Sequence, residues 1–187
     1  MNQPNDSTPS TEIQTLTEGR FLRMVKQGRW EYVERHTSTG AVAVVAVTEA
    51  DELILVEQDR VPLGGPCIEL PAGLAGDLDD AADESFIEAA RRELLEETGY
   101  HAQHIEHLFE VATSPGQTSE TIDLYRAQGL TRQHAGGGVH HEQITVHLIP
   151  VPEAAGWLNK QARAGKRVDI KTWLGVMLSG GDLSRAL

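Results

Sequence analysis

Apolar residues fall into short blocks along most of the chain and into one helical stripe near its middle. Residues 1–11, rich in Asn, Pro, Ser and Thr and without an apolar period, predict a disordered tail. Between 13 and 35, the alternating blocks Phe21-Leu22-Arg23-Met24-Val25 and Trp30-Glu31-Tyr32-Val33-Glu34-Arg35 flank Gln27-Gly28 and predict a β-hairpin or small meander. So small a sheet cannot bury its own faces, so it calls for a larger body or a partner subunit to pack on. Residues 41–47 are apolar throughout and predict a central strand buried on both faces, followed by a turn at 49–51 and a second strand at 53–57. The chain is expected to leave that strand over 57–62, and 68–71 reads as a short strand running into a glycine loop. Strands at 105–111 and 121–126 flank a loop at 113–119, and a glycine-rich loop at 135–139 precedes a strand at 144–151. Helices are predicted at 152–164, with Gly165 as a stop, and at 169–178, with Asp169 as N-cap.

The helical stripe is the most specific feature. Ser85 and Glu88 form a capping box, Ile87, Ala90 and Leu94 recur at helical spacing, and Gly99 is a natural stop, which predicts a helix over 86–98. On it Glu93 and Glu97 lie one turn apart and Glu96 lies three residues from Glu93, so three carboxylates share one patch. Like charges at that spacing cost a few tenths of a kcal/mol per pair. Arg92 can relieve this by pairing with Glu96 or Glu88, and a hard divalent cation such as Mg²⁺ relieves it further. Taken alone, the same helix also reads as a solvated, charge-laced face.

The flanking residues separate the two readings. Gly73, Glu84, seven residues, then Arg92-Glu93-Leu94-Leu95-Glu96-Glu97-Thr98-Gly99-Tyr100 resembles the Nudix box. The family places five residues between the glycine and the first glutamate, whereas ten stand here, 74–83, so the loop carries an insertion ahead of an intact helix. The resemblance implies an α+β fold, an α/β/α sandwich around a mixed sheet, with a small N-terminal antiparallel meander. It divides the chain into a tail (1–11), a meander for dimerisation and substrate binding (12–38) and a hydrolase domain (39–187). It also implies a metal site of Glu93, Glu97 and Glu96 with the carbonyl of Ala72, Mg²⁺ as cofactor with Mn²⁺ as a substitute, Arg92 as orienter of the carboxylates, and Gly73 and Glu84 in support.

Beyond the box, Ser114-Pro115-Gly116 followed by Glu120 resembles the ADP-ribose pyrophosphatases and related nucleoside-diphosphate-sugar hydrolases, and residues 135–139 with Glu142 resemble the GDP-mannose branch. That likeness makes Glu142 the general base or an extra metal carboxylate, with His140 and His141 as competitors. It makes Trp30, Glu31, Arg60, Pro115, Gly116 and Glu120 the substrate-binding residues, with Trp30 the aromatic that stacks on the base, against an ordinary core tryptophan, and Arg60 a phosphate contact, against a surface salt bridge. The implied activity is metal-dependent hydrolysis of a nucleoside-diphosphate sugar by a homodimer. A nucleotide-sensing module without turnover and a nucleoside triphosphate pyrophosphohydrolase are the alternatives.

Composition narrows the partners. At 187 residues one domain is the default, and a net charge of −12 argues against nonspecific binding to nucleic acid or anionic membrane. The longest apolar run, 41–47, is far short of the ~20 residues of a membrane span, and the N-terminus lacks an apolar leader. The single Cys67 excludes an internal disulfide and reads as a small buried residue, so a reducing cytoplasm is expected.

Overall fold

The computed structural model describes residues 12–76, 83–139 and 142–186. In chain order it contains β1 (Ile13–Glu18), β2 (Leu22–Gln27), β3 (Trp30–Arg35), β4 (Gly40–Ala46), β5 (Glu52–Arg60), β6 (Gly65–Glu69) and β7 (Ala72–Ala75). There follow α1 (Phe86–Thr98), β8 (Tyr100–Ala112), β9 (Thr121–Arg132), β10 (Thr145–Pro150), α2 (Ala154–Arg163), β11 (Arg167–Val168) and α3 (Ile170–Leu178). The predicted tail, most of the inserted loop, and His140 and His141 lie outside the described residues.

Three sheets result, with strand orders β1-β2-β3, β10-β5-β6-β11 and β7-β4-β9-β8. The apolar run predicted to be central is central: β4 lies antiparallel to β7 and parallel to β9. Its period of two serves both faces. Ala41, Ala43 and Val45 join Leu53, Leu55, Ile68 and Leu70 in a core closed by Leu158 of α2 and Val176 of α3. Val42, Val44 and Ala46 join Ile54 in a second core closed by Ala89, Ala90 and Leu94 of α1. This is the α/β/α sandwich, with α1 on one side and α2 and α3 on the other. The two larger sheets meet where the Val44 N–H donates to the Pro71 carbonyl at 2.8 Å. Among the described residues no helix is long and apolar enough to cross a membrane.

Helix α1 begins and ends where its caps dictate. The Ser85 hydroxyl accepts from the Glu88 N–H, and Gly99 closes the helix at φ 77° with its N–H on the Leu95 carbonyl. Its buried stripe differs from the predicted one. Ile87 is 38% exposed, and the stripe runs through Ala89, Ala90, Leu94 and then Glu97 and Thr98.

Several strands outrun their sequence signal. β5 continues to Arg60 instead of ending at 57, because Gln58, Asp59 and Arg60 pair with Cys67, Pro66 and Gly65 of β6. β8 and β9 extend over Tyr100–Ala112 and Thr121–Arg132, each the other's partner along nearly its whole length. The glycine loop is also partly strand: residues 72–75 pair with β4. Helix α2 is shorter than predicted because Val151–Glu153 form a 3₁₀ turn before it. Asp169 caps α3 as expected, accepting from the Lys171 N–H at 2.7 Å.

Candidate active site

The glycine strand β7 and helix α1 lie against each other so closely that Gly73 has no room for a side chain: a β-carbon there would land on the Glu93 carboxylate. Next to it, the Ala72 N–H donates to the Glu97 carboxylate at 3.0 Å. Glu97 is only 3% exposed, the one charged member of the buried stripe of α1. Burial pushes its carboxyl up to about 9; the Ala72 N–H opposes this, and the nearby charges of Glu93, Glu142 and Glu69 add to it.

Arg92 binds both oxygens of Glu84 at 2.9 and 3.0 Å, Glu93 at 2.8 Å, Glu96 at 3.3 Å and the Leu74 carbonyl at 2.9 Å. The hydrogen bonds to Glu84, ahead of the charges of Glu93, raise its affinity for its proton against the opposing effect of burial. Glu84 therefore faces the arginine, and Glu88 pairs with Arg91 at 3.9 Å. One guanidinium thus ties the strand, Glu84 ahead of the N-cap and two carboxylates of the helix into a single unit.

Glu142 reaches this unit through the C-terminal end of α1. The N–H groups of Gly137 and Gly138 donate to the carbonyls of Glu97 and Glu96 at 2.8 and 3.1 Å, filling acceptors that a helix end leaves open. Gly136 and Gly138 have φ of 74° and 81°, and a β-carbon at Gly138 would sit 2.6 Å from that of Glu142. The Glu142 carboxylate accepts from the Val139 N–H at 2.9 Å and lines a polar cleft of about 640 Å³ shared with Glu57, Gln58 and Asp59.

Arg60, predicted as a phosphate contact, is held by Glu69, whose two oxygens accept from its Nε and Nη2 at 2.7 and 2.6 Å. Trp30 is 54% exposed and so is not a core tryptophan. With Tyr32, Pro115 and Gly116 it lines a second hollow of about 270 Å³. The meander reaches that loop through Val33, whose N–H donates to Gln117 and whose carbonyl accepts from Ser119, at 2.9 and 3.2 Å. Glu31 alternates to the other face of β3 and is not brought to this hollow. Glu120 pairs with Arg35 at 2.8 Å.

Glu69, Tyr32, Arg35 and Glu57 were read from the sequence only as strand residues, not as part of a site. The available signal for Glu69 was an acid between Ile68 and Leu70, both of which belong to the opposite core. Among the described residues no three acidic, histidine or cysteine side chains stand in ligating range of one point. The donor set nevertheless suits a hard divalent cation: the buried Glu97 carboxyl, with the charges of Glu93, Glu142 and Glu69 acting on it, presents oxygen donors.

Comparison with known proteins identifies the family. The model of the NUDIX domain matches residues 37–168. The methanol dehydrogenase activator of Bacillus methanolicus is 42% identical over 110 residues, which cover 59% of this chain and 56% of that protein. The GDP-mannose pyrophosphatase of Cronobacter sakazakii is 37% identical over 140 residues, covering 72% and 70%. The ADP-ribose pyrophosphatase of Mycobacterium tuberculosis is 39% identical over 118 residues, covering 62% and 55%. The chain thus spans little more than half the length of two of these relatives. A solved structure of an ADP compounds hydrolase superimposes with a TM-score of 0.65 over 90% of this chain and 92% of that one, at 24% identity, and so shares the fold. With the box residues gathered on β7 and α1 and the family model spanning 37–168, the chain belongs to the Nudix family.

Proposed function

We propose that the protein hydrolyses the pyrophosphate bond of a nucleoside-diphosphate sugar of the ADP-ribose or GDP-mannose class, giving a nucleoside monophosphate and a sugar phosphate. The observation that carries this is the buried Glu97, held by the Ala72 N–H, with the charges of Glu93, Glu142 and Glu69 acting on it and Arg60 within its electrostatic reach. Ordinary packing does not gather acids in this way, and a phosphoanhydride with its counter-cations relieves them.

Glu93, Glu97 and Glu96, with the Ala72 carbonyl, would hold Mg²⁺, or Mn²⁺ in its place. When bound, such ions neutralise the pyrophosphate and acidify a coordinated water. The remaining work falls to the chain. Arg92 fixes Glu93 and Glu96 in orientation through Glu84. Arg60 presents its guanidinium to a phosphate, and Trp30 with Tyr32 offers aromatic faces to the base. Glu142 takes the proton of the attacking water as its oxygen bonds to phosphorus and the bridging oxygen departs with the other phosphate. Glu120 orders the loop after Pro115 and Gly116 by holding Arg35.

The meander at 12–38 is read as a dimerisation element and the protein as a homodimer. Cys67, buried, with a thiol pushed up to about 12 by burial and by Glu69, suits a reducing cytoplasm. The relative from Bacillus methanolicus, named an activator, favours a regulatory module as the second reading.

The test is phosphate-coupled turnover of ADP-ribose, GDP-mannose, UDP-glucose and a nucleoside triphosphate, with Mg²⁺ and then with EDTA. Release from at least one diphosphate sugar, lost under EDTA, is expected. Tight binding of one compound with no turnover of any would transfer the case to the regulatory reading.

A further inference from the structure

Glu69 is a buried carboxylate for which the reaction above has no use. It lies on β6 between Ile68 and Leu70, which face the opposite core, and is 5% exposed. Both its oxygens are spent on Arg60, at 2.7 Å to Nε and 2.6 Å to Nη2. Arg60 ends β5, and its side chain is 43% exposed against 7% for Glu69.

We infer that Glu69 is the positioning residue for Arg60: by seizing the Nε–Nη2 edge of the guanidinium it turns the Nη1–Nη2 edge outward as a preformed fork for a substrate phosphate. The inference rests on the diphosphate-sugar reading. Three observations lead to it. A guanidinium is a rigid planar fork with two usable edges, so occupying one fixes the direction of the other. Among the described residues Nη1 has no hydrogen-bond partner, although Nε and Nη2 each have a short one. Glu97 also acts electrostatically on Arg60, which sets the Arg60 to Glu69 pair near the carboxylates of α1.

A purely structural role explains the pair less well. Burying an ion pair costs desolvation that an apolar pair of similar size avoids, and the arginine here is the exposed partner. The geometry is that of a long, mobile side chain fixed at its base to spare ordering it when substrate binds. Glu69 touches no reacting atom in this account; it acts through Arg60.

The experiment compares Glu69→Gln, Arg60→Gln and the double variant, using ADP-ribose, or GDP-mannose if the wild type takes that instead. KM and kcat are measured with Mg²⁺, and binding is measured by calorimetry in EDTA, where no turnover intervenes. Loss of a charge-assisted bond should raise both KM and the metal-free Kd of Glu69→Gln about tenfold, with kcat within about threefold of wild type. The double variant should be no weaker than Arg60→Gln alone, since the two residues form one device. Unchanged KM and Kd in Glu69→Gln, or losses that multiply in the double variant, overturns the inference. A fall in kcat at constant KM also overturns it and assigns Glu69 to the Glu97 cluster. Glu69→Asp keeps the charge inside and shortens the reach, so it decides the matter where Glu69→Gln does not fold: wild-type KM and Kd there refute the positioning role. Wild type that binds without turnover removes the hydrolase reading and leaves the EDTA arm to judge Glu69, whereas wild type that binds neither compound removes both.

Discussion

Glu97 occupies a position that helix packing would give to leucine, one turn beyond Leu94 on the buried stripe of α1. Its carboxyl, raised by burial to about 9, is the group on which the proposed metal site rests. The spacing of Glu93, Glu96 and Glu97 was legible in the sequence because 3.6-residue periodicity fixes which residues share a helix face. The Arg60 to Glu69 pair was not, because it depends on the register between β5 and β6, which only the folded sheet sets.

The opposite case is Glu57. Burial would raise its carboxyl, but hydrogen bonds from Lys166 and His147, each 2.8 Å, outweigh this and hold it below the ordinary 4.5. A depressed carboxylate stabilises the fold above its unfolded value, and that stability is lost as pH falls through the lowered folded value. Lys166→Met is therefore expected to cost about 1 kcal/mol at pH 7 and to approach wild type as the pH drops well below 4.5. Urea unfolding at pH 7 and pH 3 measures this; a gap of equal size at both values refutes it.

Among the elements, α1 was read correctly from end to end because its caps are local: Ser85 and Gly99 act within one turn of themselves. The strands were read short for the converse reason. β8 is an edge strand with many exposed polar positions, among them Gln103 and His104, so its sequence lacks an apolar signal. β9 continues past Gly129, whose φ of 64° would ordinarily mark a turn, because β8 supplies partners on both sides of it.

The meander presents a different problem. All six residues of β1 are exposed, and Ile13, Leu16, Phe21, Leu22 and Met24 stand 37% to 52% open to solvent. A three-stranded sheet with so much uncovered apolar surface is expected to lie against a second copy of the chain. Light scattering should give twice the 20.4 kDa chain mass, and Leu22→Glu with Met24→Glu should halve it. A wild-type monomer at tens of micromolar would contradict the dimer.

At the scale of the molecule, the fold sets two cores on either side of a pair of sheets and leaves the chemistry at the edge of one of them. The Nudix resemblance covered the box completely, since all its positions lie within 30 consecutive residues, 71–100. The rest of the site draws on β5, β6, the loop before β10 and the meander, elements whose meeting is a matter of topology and not of any local pattern.

The claim on which the account turns is that buried Glu97 holds the catalytic cation. The direct test is hydrolysis of the preferred diphosphate sugar by wild type and by Glu97→Gln, at saturating Mg²⁺, with the melting temperature of each. Glutamine fits the same space and carries no buried charge, so the variant should melt no lower than wild type without metal while kcat falls by at least about 10²- to 10³-fold. A folded Glu97→Gln protein that keeps wild-type kcat would contradict it.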